Sequence, residues 1–195
     1  MSVSVTTKKI RMSYPVVFTP KKTDDGSAPR YSMKVLIPKS DTETYNRIKD
    51  AIRAVYEEGK NSTFKGKRLD LSNLDHPGMK IPLHDGDGYS PNGNEYKPED
   101  KGNWVLSVAS KNKPAVVDRN RRPVTDETQV YGGCYGRVSI NIYPYQFSGG
   151  GIAAGLNGVL TYGYGEPFGN SFSADSAFND GYEDPDDEGE DDDLL

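Results

Sequence analysis

Cysteine is almost missing from this chain: Cys134 stands alone among 195 residues. An internal disulfide is therefore excluded, and the usage fits a reducing cytoplasm. One Cys and two His also fall short of an ordinary zinc site. Apolar residues are scarce at 34%, and no run of them approaches the ~20 residues a membrane helix needs. The opening MSVSVTTKKIRMSYP has no apolar stretch of signal-peptide length. GxxxxGK with a following Ser or Thr, GxGxxG, HExxH and paired CxxC are all missing, and no internal repeat is visible. Nothing here calls for a cofactor or a metal. Local Ser-His-Asp chemistry has no support either.

What is abundant points elsewhere. Thirteen Tyr against six Phe and one Trp favours rings that keep a polar end in water. Twenty-one Gly and 13 Pro imply loops and tight turns. The net charge of −5 conceals an asymmetry. All 24 Lys and Arg lie in residues 1–137 beside 17 of the 29 acids, a net of +7; residues 138–195 hold the other 12 acids and no Lys or Arg. A basic body with an acidic tail suggests nucleic-acid binding with a competing polyanion attached.

The most informative stretch is Tyr131 to Phe147, YGGCYGRVSINIYPYQF. Strand period two puts Cys134, Gly136, Val138, Ile140 and Ile142 on one face, suited to a core. Tyr135, Arg137, Ser139, Asn141, Tyr143, Tyr145 and Phe147 take the other. Rings stack on bases, guanidinium pairs with phosphate and amides bond base edges, so this second face suits a single-stranded nucleic acid. The competing reading is a strand buried on both faces.

Around it the chain predicts a mainly β fold. Lys9 to Phe18 is a first strand with Pro15 as a bulge or edge feature. Tyr31 to Ile37 is half-buried, with Tyr31, Met33, Val35 and Ile37 opposite Ser32, Lys34 and Leu36. A capping box from Ser40 to Glu43 opens one helix, whose stripe is Tyr45, Ile48, Ile52 and Val55 and whose stop is Gly59. Lys60 to Gly102 is weakly patterned, the kind of long loop that is functional or mobile. Asn103 to Ser110 and Ala115 to Val117 are strands, and Ile152 to Tyr164 returns as the key strand's partner after a turn at Gly149 to Gly151. Six or so short strands with one inserted helix suggest a small Greek-key barrel over residues 1–169. Residues 170–195, low in aliphatics and dense in acid, are expected to be a disordered tail.

Basic residues interleaved with aromatics give the candidate site. Arg11, Lys34, Lys111, Lys113, Arg119, Arg121 and Arg122 join Tyr135, Arg137, Asn141, Tyr143 and Tyr145 as candidate strand-binding residues. The rival is a metal-dependent nuclease or processing enzyme built on Asp85 and Asp87, with Glu95 as a further ligand. The run Asp85-Gly-Asp87-Gly also has the look of a calcium-loop fragment. It lacks the twelfth-position Glu, and Tyr89 stands at a ligand position.

The segments SYPVVFTP, YSMKVLIPKSDTETYNRIKDAI, IPLHDGDG, ASKNKPAVVD, VYGGCYGRVSINIYPYQF, GIAAGLNGVL and GEPFG occur in this order. Together, from about Ser13 to Gly169, they resemble the single-stranded DNA-binding proteins of tailed bacteriophages. The resemblance implies an OB-fold barrel with no enzymatic activity, protecting single strands with little sequence preference during phage replication and recombination. It also places the protein in the cytoplasm of the infected host. The acidic run Asp191, Asp192, Asp193 with the tip Leu194 and Leu195 resembles the partner-docking tails of single-strand binders, which engage replication proteins such as a polymerase or helicase. Many such tails end in an aromatic, and this one does not. Weaker binding of RNA or duplex DNA, and a homo-oligomer, are left open by the sequence.

Overall fold

The computed structural model describes residues 1–22, 26–89 and 96–169. Among these, eight strands and one α-helix follow in the order β1 (Val3–Thr6), β2 (Ile10–Lys21), β3 (Arg30–Pro38), α1 (Thr42–Gly59), β4 (Leu83–Asp85), β5 (Asn103–Ser110), β6 (Ala115–Val117), β7 (Tyr135–Tyr145) and β8 (Gly151–Thr161). The predicted disordered tail, its candidate residues Asp191, Asp192, Asp193, Leu194 and Leu195, and Glu95 lie outside the described residues.

Five strands close a ring. β2 pairs with β3, β3 with β5, β7 with β8 and β7 back with β2, all antiparallel. The remaining seam is parallel, β5 to β8 through Ala109 and Gly155. Counting only ring strands, the spatial order is first, second, third, fifth, fourth, which is the Greek-key connectivity of an OB-fold. β1 continues along the same edge of β7 that β2 uses, β4 adds to β5, and β6 adds to β8.

β7 is central because its two faces differ in chemistry. Cys134, Val138, Ile140 and Ile142 are all within 1% of complete burial and pack with Met12, Val35, Leu106 and Ile152. Each aliphatic of that size contributes about 1.5–3 kcal/mol on leaving water. Gly136 belongs to this face for want of space: a Cβ there would lie 2.3 Å from both the Leu160 carbonyl oxygen and Met12 Cε. The opposite row, from Tyr135 to Tyr145, is half-buried or exposed at every position but Pro144's neighbours on the inner face. A strand buried on both faces is thus excluded.

Several sequence expectations needed correction. The first strand is two, since β1 is separate and β2 runs on to Lys21. β1 is short and polar, and it holds its place by pairing with β7 and by the Arg47 guanidinium donating to the Thr6 carbonyl. The helix cap is Asp41, not Ser40: its carboxylate accepts from the Thr44 backbone N–H at 3.0 Å. Glu43 instead pairs with Lys8. Gly59 does end the helix, but through packing, because a Cβ would come within 2.7 Å of the Phe64 ring. Leu36 is buried although it lies off the inner face; it pairs in register with Val105, which is buried likewise.

The stretch from Lys60 to Gly102 is not a free loop. Phe64, Leu71, Leu74, Met79, Ile81 and Leu83 all enter the core from it. Their spacing follows neither helical nor strand periodicity, so no pattern announces them. The helix stripe behaves as expected: Ile48, Ile52 and Val55 are buried, and Tyr45 stacks flat on Trp104 with centroids 3.7 Å apart.

Candidate nucleic-acid interface

A groove of about 1070 Å³ runs over the outer face of the barrel. Its floor is the outer row of β3 and β5, with Ser32, Lys34, Ser107 and Ala109, and the neighbouring row of β8, with Ala153 and Gly155. Asn141, Tyr143 and Tyr145 of β7 form one wall. This is the surface over the second and third ring strands, and the turn between the last two ring strands, Phe147 and Ser148, closes one end. In OB-folds these are the parts that bind oligonucleotides.

Aromatic groups ring the groove. Tyr143 and Tyr145 stand half-buried, and Phe147 is 68% exposed with its centroid 4.9 Å from that of Tyr145. Burial, reinforced by Tyr143 nearby, pushes the Tyr145 phenol above its ordinary pKa, so it stays a neutral donor at working pH. Tyr14 faces them from β2, 58% exposed. Its φ of +48° is a left-handed conformation that costs a non-glycine residue about 1–2 kcal/mol. The strand bulges here, with a register shift between Ser13 and Val16, and Pro15 removes a ladder donor. The bulge expected at Pro15 is present, and its consequence is a ring held out over the groove.

The cations are Arg30, Lys34, Lys80 and Lys111. Lys34 is not free. Its ammonium lies 2.9 Å from an oxygen of Asp100, a fully buried carboxylate. Among the described residues no carboxylate pairs with Arg30, Lys80 or Lys111. Lys80 also donates to the Ser148 carbonyl at 3.2 Å, and Lys67 donates to the carbonyls of Gly149 and Gly150. Two lysines therefore pin the turn that presents Phe147. Asn141 is packed by Gly155, where a Cβ would sit 2.4 Å from the amide oxygen.

Of the sequence-predicted residues, Lys34, Lys111, Asn141, Tyr143 and Tyr145 line this groove. The others lie elsewhere. Tyr135, at the far end of β7, meets Lys9, Arg11 and Tyr164. Arg11 is committed to structure: its guanidinium donates to the carbonyls of Gly133 and Glu166 and lies 4.3 Å from the Phe168 ring. Arg119 stands over Tyr162 at 4.8 Å, and a hydrogen bond from Lys9 to Tyr164 raises the Lys9 pKa. Arg137 is exposed, with Nε donating to the Thr7 carbonyl. Arg121 and Arg122 occupy a tight turn ordered by Asp118, and with Lys113 they are exposed and outside the groove.

Sequence reasoning missed Tyr14, Arg30, Lys80 and Phe147 as groove residues. Phe147 already belonged to the outer row of the key stretch, and Tyr14-Pro15 inside a strand pattern was the available signal for a displaced ring. Lys80 sits in the weakly patterned region and left no signal.

Asp85 and Asp87, the rival catalytic pair, both contact the Lys39 ammonium. Lys39, together with the Gly102 N–H, holds the Asp87 carboxyl below the usual range. These aspartates are neutralised by protein groups and order a turn.

A closed five-strand OB barrel with an aromatic, basic groove defines a single-strand-binding class of fold. The family model of the single-stranded DNA-binding protein of Enterobacter phage Enc34 matches residues 3–194, and the chain belongs to that family. The family is non-enzymatic, which removes the nuclease alternative. The bacteriophage Enc34 protein in complex with single-stranded DNA superposes with a TM-score of 0.68 at 28% identity, covering 85% of this chain and 89% of that one. A relative from Acyrthosiphon pisum secondary endosymbiont phage 1, described as putative protein p50, is 32% identical over 160 residues, 82% of this chain and 83% of its own. The bacteriophage T7 single-stranded DNA-binding protein gp2.5 shares the fold, with a TM-score of 0.56 at 14% identity over 94% of this chain and all of that one.

Proposed function

We propose that the protein coats single-stranded DNA in phage replication and recombination, with little sequence preference, by laying the strand along the groove. The observation behind this reading is the pairing of exposed rings with unneutralised cations on one concave face. Tyr14, Tyr143, Tyr145 and Phe147 offer π-faces to bases, and every base has one. Arg30, Lys80 and Lys111 take phosphates. Asn141 is an amide that bonds any base edge presented to it. No helix among the described residues is long and apolar enough to cross a membrane, and the working compartment we propose is the cytoplasm of the infected host.

Tyr143→Ala and Phe147→Ala test the reading. Each should weaken binding of a labelled oligothymidylate by about 1–3 kcal/mol per lost stack, with the melting temperature little changed. Normal binding by both folded variants would place the strand on another face.

The acidic C-terminal segment supports a second role, docking of replication proteins through Asp191, Asp192, Asp193, Leu194 and Leu195. Residues 180–195 carry ten acids and no base beside a body of +7. Deleting them should abolish capture of the phage polymerase or helicase and tighten DNA binding most at low salt, where screening is weakest. Retained capture by the truncated chain would remove the docking role.

A further inference from the structure

At the end of β7 remote from the groove, Lys9, Tyr135, Tyr162, Tyr164 and Arg119 form a second basic aromatic cluster. Lys9 Nζ lies 4.4 Å from the Tyr135 centroid, 5.2 Å from that of Tyr164 and 5.8 Å from that of Tyr162. Arg119 approaches the Tyr162 ring at 4.8 Å. Lys9, Arg119 and Tyr164 are exposed, and among the described residues no carboxylate pairs with either cation. The scaffolding of this region does not need them. The segment from Tyr162 to Phe168 is already held by the exchange of backbone hydrogen bonds between Tyr135, Tyr162 and Tyr164 and by Arg11 on the Glu166 carbonyl. What remains is excess positive charge on a set of ring faces open to solvent.

We infer that this cluster is a second contact point for the same DNA strand, reached by the length that emerges from the groove. The inference rests on the groove reading above. Rings with unpaired cations match a nucleotide, whose base stacks while its phosphate pairs with the cation. The path is the outer row of β7, which runs from Tyr145, Tyr143 and Asn141 in the groove through Ser139 and Arg137 to Tyr135. Arg137 is exposed midway, with its Nε on the Thr7 carbonyl orienting the guanidinium. Eight residues separate Tyr143 from Tyr135, about 27 Å of strand. An oligonucleotide that only fills the groove does not reach the cluster, and a longer one does.

Length dependence is therefore the discriminating measurement. The variant is Lys9→Gln with Arg119→Gln, two exposed positions, and its melting temperature should equal the parent's. Both proteins are titrated with oligothymidylates of about six nucleotides and of more than about sixteen, the two ends of OB-fold site sizes. The variant should bind the short oligonucleotide like the parent and the long one about tenfold more weakly, with a salt slope for the long one shallower by about 1.4, or 0.7 for each lost phosphate contact. Unchanged binding of the long oligonucleotide overturns the inference. So does equal weakening at both lengths, which would make the cluster part of the groove. Tighter binding by the variant would mean that the cluster holds the chain's own acidic tail, and it too overturns the inference. Tyr143→Ala keeps the two claims apart, because failure of the groove reading leaves that variant normal at both lengths.

Discussion

Replacing Asp100 with Asn should strengthen DNA binding while destabilising the fold, an opposition that follows from one contact. Asp100 is fully buried, accepts from Lys34 Nζ at 2.9 Å and from the Lys97 N–H at 3.2 Å, and its second oxygen has no partner among the described residues. The amide keeps an acceptor for Lys34 but removes the charge. Breaking a buried pair by deleting one partner costs about 3–5 kcal/mol. Here the Lys34 side chain is 29% exposed and can rehydrate, so a loss nearer 1–3 kcal/mol is expected. In the groove the same change unmasks a positive charge. For a phosphate about 6 Å from Asp100's former charge, repulsion of about 0.7–1.4 kcal/mol disappears at an effective dielectric of 80 to 40. Affinity should rise about three- to tenfold at low salt, and the slope of log affinity against log salt should steepen by about 0.7 as Lys34 gains a phosphate. Fluorescence anisotropy with labelled oligothymidylate at several salt concentrations, paired with thermal melts, measures both effects. A folded variant with the parent's affinity and slope would refute the placement of Lys34 on the strand's path. An unchanged melting temperature would show that the pair contributes nothing to the fold.

Other perturbations test neighbouring parts of the same reasoning. Tyr14→Gly removes a ring but also relieves a left-handed φ, so binding should fall by about 1–3 kcal/mol. Stability should hold or rise slightly, since relief of about 1–2 kcal/mol outweighs the extra backbone entropy of glycine; a clear drop in melting temperature would contradict this balance. Gly155→Ala should dislodge the Asn141 amide that lies 2.4 Å from the added methyl, and weaker binding with a nearly native circular dichroism spectrum is the expected result. His84 has a pKa lowered by burial first and by the Lys34 charge second, with Asp75 opposing both. The unfolded chain therefore takes up a proton at His84 before the folded one does. Stability should be flat above about pH 6.5 and decline as pH falls below it toward the folded pKa. His84→Gln should remove that decline from melting curves recorded between about pH 5 and 8, and a decline of unchanged steepness would assign it to other groups.

How much of this was legible beforehand depends on the kind of residue. Period-two alternation in β7 was sufficient to separate Cys134, Val138, Ile140 and Ile142 from Asn141, Tyr143 and Tyr145, because a strand leaves side chains only two directions. The α1 stripe at Ile48, Ile52 and Val55 was equally plain for the helical reason. Charge asymmetry along the chain needed no structure at all. By contrast, which outward residues share a groove is a property of ring closure. The parallel seam between Ala109 and Gly155 sets β8 beside β5, and the turn carrying Phe147 then faces Tyr14 across the groove. Those contacts join residues more than 100 positions apart, and no local pattern encodes them. Tyr135 and Tyr143 share a strand face in sequence yet serve different regions, since about 27 Å of strand separates them. Lys34 looked like a free cation until the fold buried Asp100 against it. Composition and periodicity thus determined the class of ligand and the strand that faces it. Closure of the barrel decided which rings and charges act together, because proximity across a closed sheet depends on register and shear and not on spacing along the chain.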